Sequence, residues 1–436
     1  MNILDFQQGI TNKLRERKKL LVAFSGGLDS SVLLHALVQL RQQHSLEIRA
    51  IHIHHGLSRF ADSWVKHCQL ICDALKVPLK VVHVDVNRGG QGLEAAARIA
   101  RYQAIAAYLL SGELLLTAQH QDDQCETLLL ALKRGSGPAG LSGMAEEMPF
   151  RQNMLLRPLL DISRSQLEAY ALQHQLTWIE DESNQDDRFD RNFLRLRILP
   201  ELSERWPHFA SAAARSAALC AEQESLLDEL LRDALDSLID VNRSLDIEGL
   251  TSMSEVKRYA LLRRWIADFG VQMPARDQLQ RVWNEVVLSR EDAEPQLTLG
   301  AWVFRRFRQR LYLLLQTVPL TDTVLFWQPP DDLILPDNLG CLKVDTQGRG
   351  IRQPRRGETV TVRFFAQGKI RIVGRDHSRQ IKKIWQELGI PPWQRTRTPL
   401  IYYADTLIAA PGVFVTRDAI AEDNEAEWQI KWQKLE

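Results

Sequence analysis

The stretch Lys19-Leu20-Leu21-Val22-Ala23-Phe24-Ser25-Gly26-Gly27-Leu28-Asp29-Ser30 decides the fold. The apolar run Leu20 to Phe24 has lysines on one side and Ser25-Gly26-Gly27 on the other, so it reads as a buried parallel strand. Beyond it Val32, Leu33, Leu37 and Leu40 recur at near-helical spacing, which predicts a helix over residues 30–40. Strand, glycine turn and helix together form the repeating unit of an open α/β sheet, and ligands bind beyond the carboxyl ends of its strands. Gly26 and Gly27 let backbone N–H groups approach an anion unobstructed by Cβ, while Ser25 and Ser30 add hydroxyl donors and the following helix favours negative charge. Leu28 continues the loop into that helix. Asp29 would repel a bare anion, and a magnesium ion bridging its carboxylate to phosphate removes the objection. The bland reading is a glycine turn with Ser and Asp as helix caps. The whole string after a strand is more specific than that, and no lysine-bearing GxxxxGK[ST] loop occurs.

Outward from this loop the rhythm repeats. Strands are expected at 48–53, 79–84 and 114–118, and helices at 63–75, 93–110 and 122–133, giving an α/β fold with a doubly wound, mostly parallel sheet over a first domain, 1–216. From 209 to 241 the pattern changes: Leu227, Leu230, Leu231, Ala234 and Leu238 mark one face of a long helix, with more helix at 260–269 and 277–287. A mainly helical domain, 217–320, is expected there, ending in a strand-like piece (297–315) with a hairpin near Arg308-Gln309-Arg310. Residues 321–336 read as a linker into a small α+β domain, 325–436, with strands at 359–365 and 407–415 and a helix at 378–388 stopping before Gly389 and Pro391-Pro392.

Length agrees: 436 residues at roughly 150 per domain suggest about three units. The longest apolar stretches, 128–132 and 407–415, fall short of the ~20 residues that span a bilayer, and the charged amino-terminal run has no secretory pattern. Five scattered cysteines without a CxxC argue against a disulfide framework and for a reducing cytoplasm. Net charge is zero, yet residues 349–397 carry ten Arg and three Lys against Glu358, Asp376 and Glu387. Acidic stretches at 222–246 and at Glu422, Asp423, Glu425 and Glu427 balance the total. The basic segment, interleaved with Phe364, Phe365, Trp385 and Trp393, suits a polyphosphate partner through counterion release, although a solvated surface would also be cationic.

Further strings fall at the carboxyl ends of the expected strands: His52-Ile53-His54-His55-Gly56-Leu57, Gly92-Leu93-Glu94-Ala95-Ala96-Ala97-Arg98 with Tyr102, and His120-Gln121-Asp122-Asp123-Gln124-Cys125-Glu126-Thr127. No Cys or carboxylate set near His54 and His55 favours zinc, so positioning or phosphate contact is expected of them. Asp122 and Asp123 each fall on a helical face with Glu126, a pocket for magnesium or an ammonium group, or merely acids complementing a helix dipole.

The loop resembles that of the N-type ATP pyrophosphatases, which cleave ATP between the α and β phosphates. The strings in this order, with Arg134-Gly135-Ser136-Gly137, Leu156-Arg157-Pro158-Leu159, Asp190-Arg191-Asn192-Phe193-Leu194-Arg195, Gly389-Ile390-Pro391-Pro392-Trp393 and Arg395-Thr396-Arg397-Thr398-Pro399-Leu400, resemble the tRNA(Ile)-lysidine synthetase family over nearly the whole chain. Residues 217–320 are the least diagnostic, and Gln119-His120 stands where the family often has paired histidines. The resemblance implies ATP-dependent adenylation of a cytidine in the CAU anticodon of tRNA(Ile), then attack by free L-lysine. It implies ATP on Ser25, Gly26, Gly27, Leu28, Asp29 and Ser30 with His52 and His55, and magnesium at Asp29. Lysine would lie on Asp123, Glu126 and Arg191, which together with Asp29 form the expected catalytic set. Arg195 and the basic side chains Lys369, Arg371, Arg375, Arg379, Lys382 and Lys383 would contact tRNA. Oligomeric state is left open, a homodimer included. A tRNA 2-thiolation enzyme is the nearest rival and needs a reactive cysteine. A small-molecule amidotransferase would need a glutaminase domain, and a non-enzymatic tRNA binder would not need the intact loop.

Overall fold

The structure, a computed structural model, describes residues 3–86, 93–290, 293–345, 350–422 and 425–434. Gly92 and the side chains of Leu93 and Glu94 in the 92–98 string, as well as Arg349 and Asp423, lie outside the described residues. Internal contacts divide the chain into two compact units, Met1–Leu230 and Leu231–Glu436.

The first unit runs α1 (Ile3–Leu14), β1 (Lys19–Ala23), α2 (Leu28–His44), β2 (Glu47–His54), α3 (Ala61–Ala74), β3 (Leu79–His83), α4 (Leu93–Tyr108), β4 (Leu114–Leu116), α5 (Gln121–Lys133), α6 (Pro138–Leu141), β5 (Glu147–Phe150), β6 (Asn153–Leu156) and α7 (Arg164–Gln173). The six strands pair in the order β3-β2-β1-β4-β6-β5, all parallel except β5, which folds back on β6. Side chains of β1 alternate between two covered faces. Leu20 and Val22, with Phe24 just beyond, pack with Val32, Leu37 and Leu167, whereas Leu21 joins Ile51, Ile105, Leu115 and Leu155 on the other face. Burial on both faces is why the strands read as continuous apolar runs. Short helices α8 (Asp190–Phe193) and α9 (Leu199–Arg205) flank a π-helical turn, Leu194–Ile198, and α10 (Phe209–Asp236) follows. The spatial order reverses between β1 and β4, so the loops after those strands part and leave a crevice at their carboxyl ends.

In the second unit come β7 (Leu245–Asp246), α11 (Ile247–Thr251), α12 (Glu255–Ala267), α13 (Arg276–Arg281) with a π-helical continuation Val282–Val287, β8 (Gln296–Leu299), β9 (Trp302–Phe307) and β10 (Arg310–Leu315). The hairpin expected near Arg308 joins β9 to β10, inside a four-stranded antiparallel sheet around Trp265 and Phe304. The expected linker is instead partly strand: β11 (Val324–Trp327) pairs with β15 (Val360–Arg363), and β12 (Leu333–Ile334) with β13 (Cys341–Asp345). Prolines Pro329, Pro330 and Pro336 fall between these strands, which is how a proline-rich segment can still supply ladder hydrogen bonds. The remaining elements are β13 (Cys341–Asp345), β14 (Ile351–Arg352), β15 (Val360–Arg363), β16 (Lys369–Ile370), β17 (Arg379–Gln380), α14 (Ile381–Glu387), α15 (Pro392–Arg395), β18 (Leu400–Tyr403), β19 (Thr406–Ala410), β20 (Phe414–Val415) and β21 (Glu427–Gln433). The expected strand at 407–415 is thus two, β19 and β20, antiparallel to each other, with Gly412 at a positive φ of 75° in the turn between them. Trp393 packs edge-on against Tyr312 and Phe307 of the hairpin, with ring centroids 5.1 and 6.1 Å apart.

Candidate active site

The Ser25–Ser30 loop leaves the end of β1 and enters α2 with Gly27 as the N-cap. Gly26 holds φ at 84°, and a Cβ there would lie 2.7 Å from Ile179 Cδ1 and 2.8 Å from Cys68 Sγ. Glycine is therefore required by conformation and by space. The loop is braced internally: the Ser25 and Ser30 hydroxyls are 3.0 Å apart, Ser30 Oγ donates to the Gly27 carbonyl at 3.1 Å, and the Ile179 N–H donates to the Gly26 carbonyl at 2.9 Å. Beside it His52 Nδ1 lies 2.9 Å from the Phe24 carbonyl. A carbonyl only accepts, so Nδ1 carries the proton and Nε2 remains an acceptor; burial lowers the His52 pKa, which keeps the ring neutral. His55 accepts at Nε2 from Arg101 Nε at 3.4 Å, and its pKa is pushed down to about 4 by burial and then by that guanidinium.

The loop after β4 brings the acids. His120, at 1% exposure, is the N-cap of α5 and its ring stands 3.7 Å from Asp29 Oδ1, 3.5 Å from Asp123 Oδ2 and 3.5 Å from Asp122 Oδ2. Burial opposes charge on the imidazole, but the three carboxylates prevail and raise its pKa. Neither ring nitrogen makes a hydrogen bond, nor does the buried Asp29 Oδ1. Burial, ahead of all other causes, raises the Asp29 pKa. One turn further, Glu126 is fully buried and receives Arg195 in a fork, Nε to Oε1 at 2.7 Å and Nη2 to Oε2 at 3.1 Å, while Arg195 Nη2 also reaches Asp123 Oδ1 at 2.9 Å. Arg191 stands beside this fork, its Nε 3.4 Å from Glu126 Oε2 and its Nη2 donating to Thr127 Oγ1 at 3.0 Å. Burial raises the Glu126 pKa against the pull of Arg195.

The fold thus brings Asp29, Asp123, Glu126 and Arg191 together beyond the carboxyl ends of the central strands β1 and β4, with His52 and His55 at the end of β2 on the far side of the loop. Asp122 shares the His120 ring with Asp29 and Asp123 but makes no contact with Arg195. Its Oδ2 accepts from the Arg164 N–H at 2.8 Å and so caps α7. Arg195, expected on tRNA, is engaged with Glu126 and Asp123 in the first unit. Lys369, Arg371, Arg379, Lys382 and Lys383 are exposed on β16, β17, α14 and the intervening loop, with Arg375 half-buried. Arg375 and Arg379 share the Glu387 carboxylate, leaving one net positive charge from the three. Of the aromatics interleaved with them, Phe364 and Trp385 are core residues and Phe365 is exposed. Sequence reading assigned no role to Gln124, whose buried amide clamps Met144 by two hydrogen bonds of 2.7 and 2.8 Å and so fixes the turn after α6. Nor did it find Ile179, more than 150 residues from the glycine it straps.

Magnesium fits as a visitor carried by a nucleotide. Asp29 offers one buried oxygen with no hydrogen bond, and no group of three or more His, Cys, Asp or Glu able to hold a metal occurs among the described residues.

A PP-loop domain is matched by residues 3–202, so the fold and loop define a PP-loop ATP-binding protein. The TilS substrate binding domain is matched by residues 245–312 and the TilS substrate C-terminal domain by 360–432. Curated proteins called tRNA(Ile)-lysidine synthase align from end to end: that of Edwardsiella ictaluri is 62% identical over 100% of this chain and 99% of its own, and that of Serratia proteamaculans 60% identical over 100% of each. The relative in Shigella flexneri is 55% identical over 98% of each chain. The chain belongs to the tRNA(Ile)-lysidine synthase family and is an ATP-dependent ligase. Among the described residues no helix is long and apolar enough to cross a membrane.

Proposed function

We propose that this protein joins free L-lysine to a cytidine in the CAU anticodon of tRNA(Ile), with ATP activating the base. The C2 carbonyl oxygen of the cytidine attacks the α-phosphorus and pyrophosphate leaves. The lysine ε-amine then attacks C2, AMP departs with that oxygen, and the amine gives up a proton. A carbonyl oxygen is a poor leaving group and an adenylate a good one, which is why the reaction consumes ATP. The lysidine formed pairs with A rather than G, so decoding moves from AUG to AUA and identity from methionine to isoleucine.

One observation carries the reading: a glycine anion loop, a buried carboxylate oxygen without a hydrogen bond, and the Asp123–Glu126–Arg191 group converge beyond the carboxyl ends of β1 and β4. The backbone of Ser25 to Ser30 would hold the phosphates, and His52 and His55 would line the nucleotide. Asp29 would hold a magnesium ion, which would supply positive charge against the phosphates. Asp123 and Glu126 would take an ammonium group of lysine and Arg191 its carboxylate, with Glu126, its pKa raised by burial, a base for the departing proton. An anticodon base can be splayed from its loop into such a crevice. Lys369, Arg371, Arg375, Arg379, Lys382 and Lys383 would meet phosphates elsewhere on the tRNA. Thiolation is disfavoured because Cys68, Cys72 and Cys125 are buried, with thiols pushed up by burial to about 12, far from a reactive thiolate.

The test is incubation of purified protein with ATP, labelled lysine and a tRNA(Ile) CAU transcript. Incorporation and AMP release should need all three, and should vanish with a tRNA(Met) transcript or with Asp29→Ala. Incorporation without ATP, or label transferred equally to tRNA(Met), defeats the proposal.

A further inference from the structure

Two carboxylates one turn apart on a buried helix face cannot stay charged and unpartnered, because burial removes the water that would solvate each charge. Glu126 is fully buried and the Asp123 side chain is 13% exposed, so the chain must supply a cation whenever no substrate does. Arg195 supplies it. Its three contacts go to three acceptors, Asp123 Oδ1, Glu126 Oε1 and Glu126 Oε2, at 2.9, 2.7 and 3.1 Å. An ammonium group carries three donors and would be satisfied by the same three oxygens.

We infer that Arg195 is the resident occupant of the amino-acid cation seat, and that lysine binds by displacing its guanidinium from Asp123 and Glu126. This rests on the assignment of that seat to lysine proposed above.

Three features point the same way. First, charge: with Arg191 already 3.4 Å from Glu126, adding an ammonium while Arg195 stays would set three cations on two carboxylates. Secondly, the seat's rim is unfinished. Arg191 Nε and both nitrogens of His120, itself 1% exposed and 3.5 Å from Asp123, lack hydrogen-bond partners, so donors remain beside the seat for the carboxylate of an amino acid, which the donor-only guanidinium of Arg195 cannot satisfy. Thirdly, Arg195 sits in the π-helical turn Leu194–Ile198 between α8 and α9. A π turn holds one residue more than an α turn and is commonly found at functional sites. Relaxing it to α geometry would rotate Arg195 by roughly 100° about the axis, enough to carry the guanidinium off both acids. The displaced side chain is already 26% exposed and has solvent to move into.

The resident cation therefore acts as a specificity-determining competitor: an amino acid gains the seat only by offering a better-fitting cation than the guanidinium, and apparent affinity is reduced by the fraction of molecules in which Arg195 is seated. Steady-state kinetics with ATP, tRNA(Ile) CAU transcript and lysine tests this. Arg195→Ala should lower the lysine KM about tenfold, corresponding to a seat about nine-tenths filled, without moving the ATP KM. In that variant, added methylguanidinium should raise the lysine KM again, whereas the wild-type protein should be insensitive at the same concentration. A lysine KM that rises or stays put in Arg195→Ala makes Arg195 a fixed brace for Glu126 and overturns the inference. Should the variant fail to fold, hydrogen exchange on the wild-type protein decides: saturating lysine with ATP should change exchange of the amides of Leu194–Ile198, and an unchanged segment overturns the idea. Wild-type protein that forms no product under these conditions would instead sink the functional assignment.

Discussion

Gly26 shows how narrowly a single residue can be constrained. Its φ of 84° lies in the left-handed region, and the space where a Cβ would go is already held by Ile179 and Cys68. Gly26→Ala must push back Ile179 or twist the loop, so thermal unfolding should show a loss of about 2 kcal/mol. ATP binding, read by isothermal titration, should weaken more than tenfold (about 1.4 kcal/mol) because the amides would no longer point at one anion. A variant of unchanged affinity would mean that the loop does not hold the phosphates. His120 and Asp29 pose a different constraint. They stand 3.7 Å apart, too far for a hydrogen bond, with the His120 ring buried and Asp29 reaching it through a buried oxygen, an arrangement that suits a site completed by ligand.

At the scale of elements, α5 organises the site. Its first two turns point Asp122 at α7, Asp123 and Glu126 at Arg195, and Gln124 at the segment after α6, so four of the five side chains from Asp122 to Glu126 tie it to three different neighbours. Gln124→Ala would strand the Met144 N–H and carbonyl, and a destabilisation of about 2 kcal/mol is expected from denaturant melts. Hydrogen exchange should accelerate across 135–144 while the β1 and β4 amides keep their protection. Equal acceleration throughout the first unit would show that the clamp is not local. The basic face of the second unit is likewise built from small elements, a two-stranded hairpin, β16 with β17, and α14. Paired replacement Lys382→Ala with Lys383→Ala should weaken tRNA binding similarly for cognate and non-cognate transcripts and reduce the slope of log K against log salt by about 2. An unaltered slope would remove this face from the tRNA interface.

At the scale of the whole molecule, stability is spread over separate cores, and their responses to pH should differ. In the second unit Arg352, buried and stacked over Tyr403, grips Glu358 at 2.6 and 2.9 Å and holds that carboxyl below its ordinary value. A depressed carboxyl adds stability that is present above its unfolded pKa, about 4.3, and is lost as pH falls through the folded value. Acid unfolding of the second unit should therefore begin below roughly pH 4.3 and be blunted in Glu358→Gln, which has no carboxyl to protonate. Identical acid profiles for the two proteins would place the sensitive group elsewhere.

The sequence by itself determined the parallel α/β sheet, its glycine loop and the family, because those features are local: a buried strand is a run of apolar residues, and an anion loop is a run of small ones next to a helix start. The helix α1 escaped notice because its apolar stripe (Phe6, Ile10, Leu14) is short and sits among polar residues. The strands β11 and β12 hid among prolines whose exclusion from a ladder depends on where each one falls. Only tertiary structure decided that Ile179 straps Gly26, that Asp122 accepts from the first amide of α7, and that Arg195 bridges Asp123 and Glu126. Each of those outcomes joins segments far apart in the chain, and the pairing of charges follows burial and distance, which no local pattern of residues encodes.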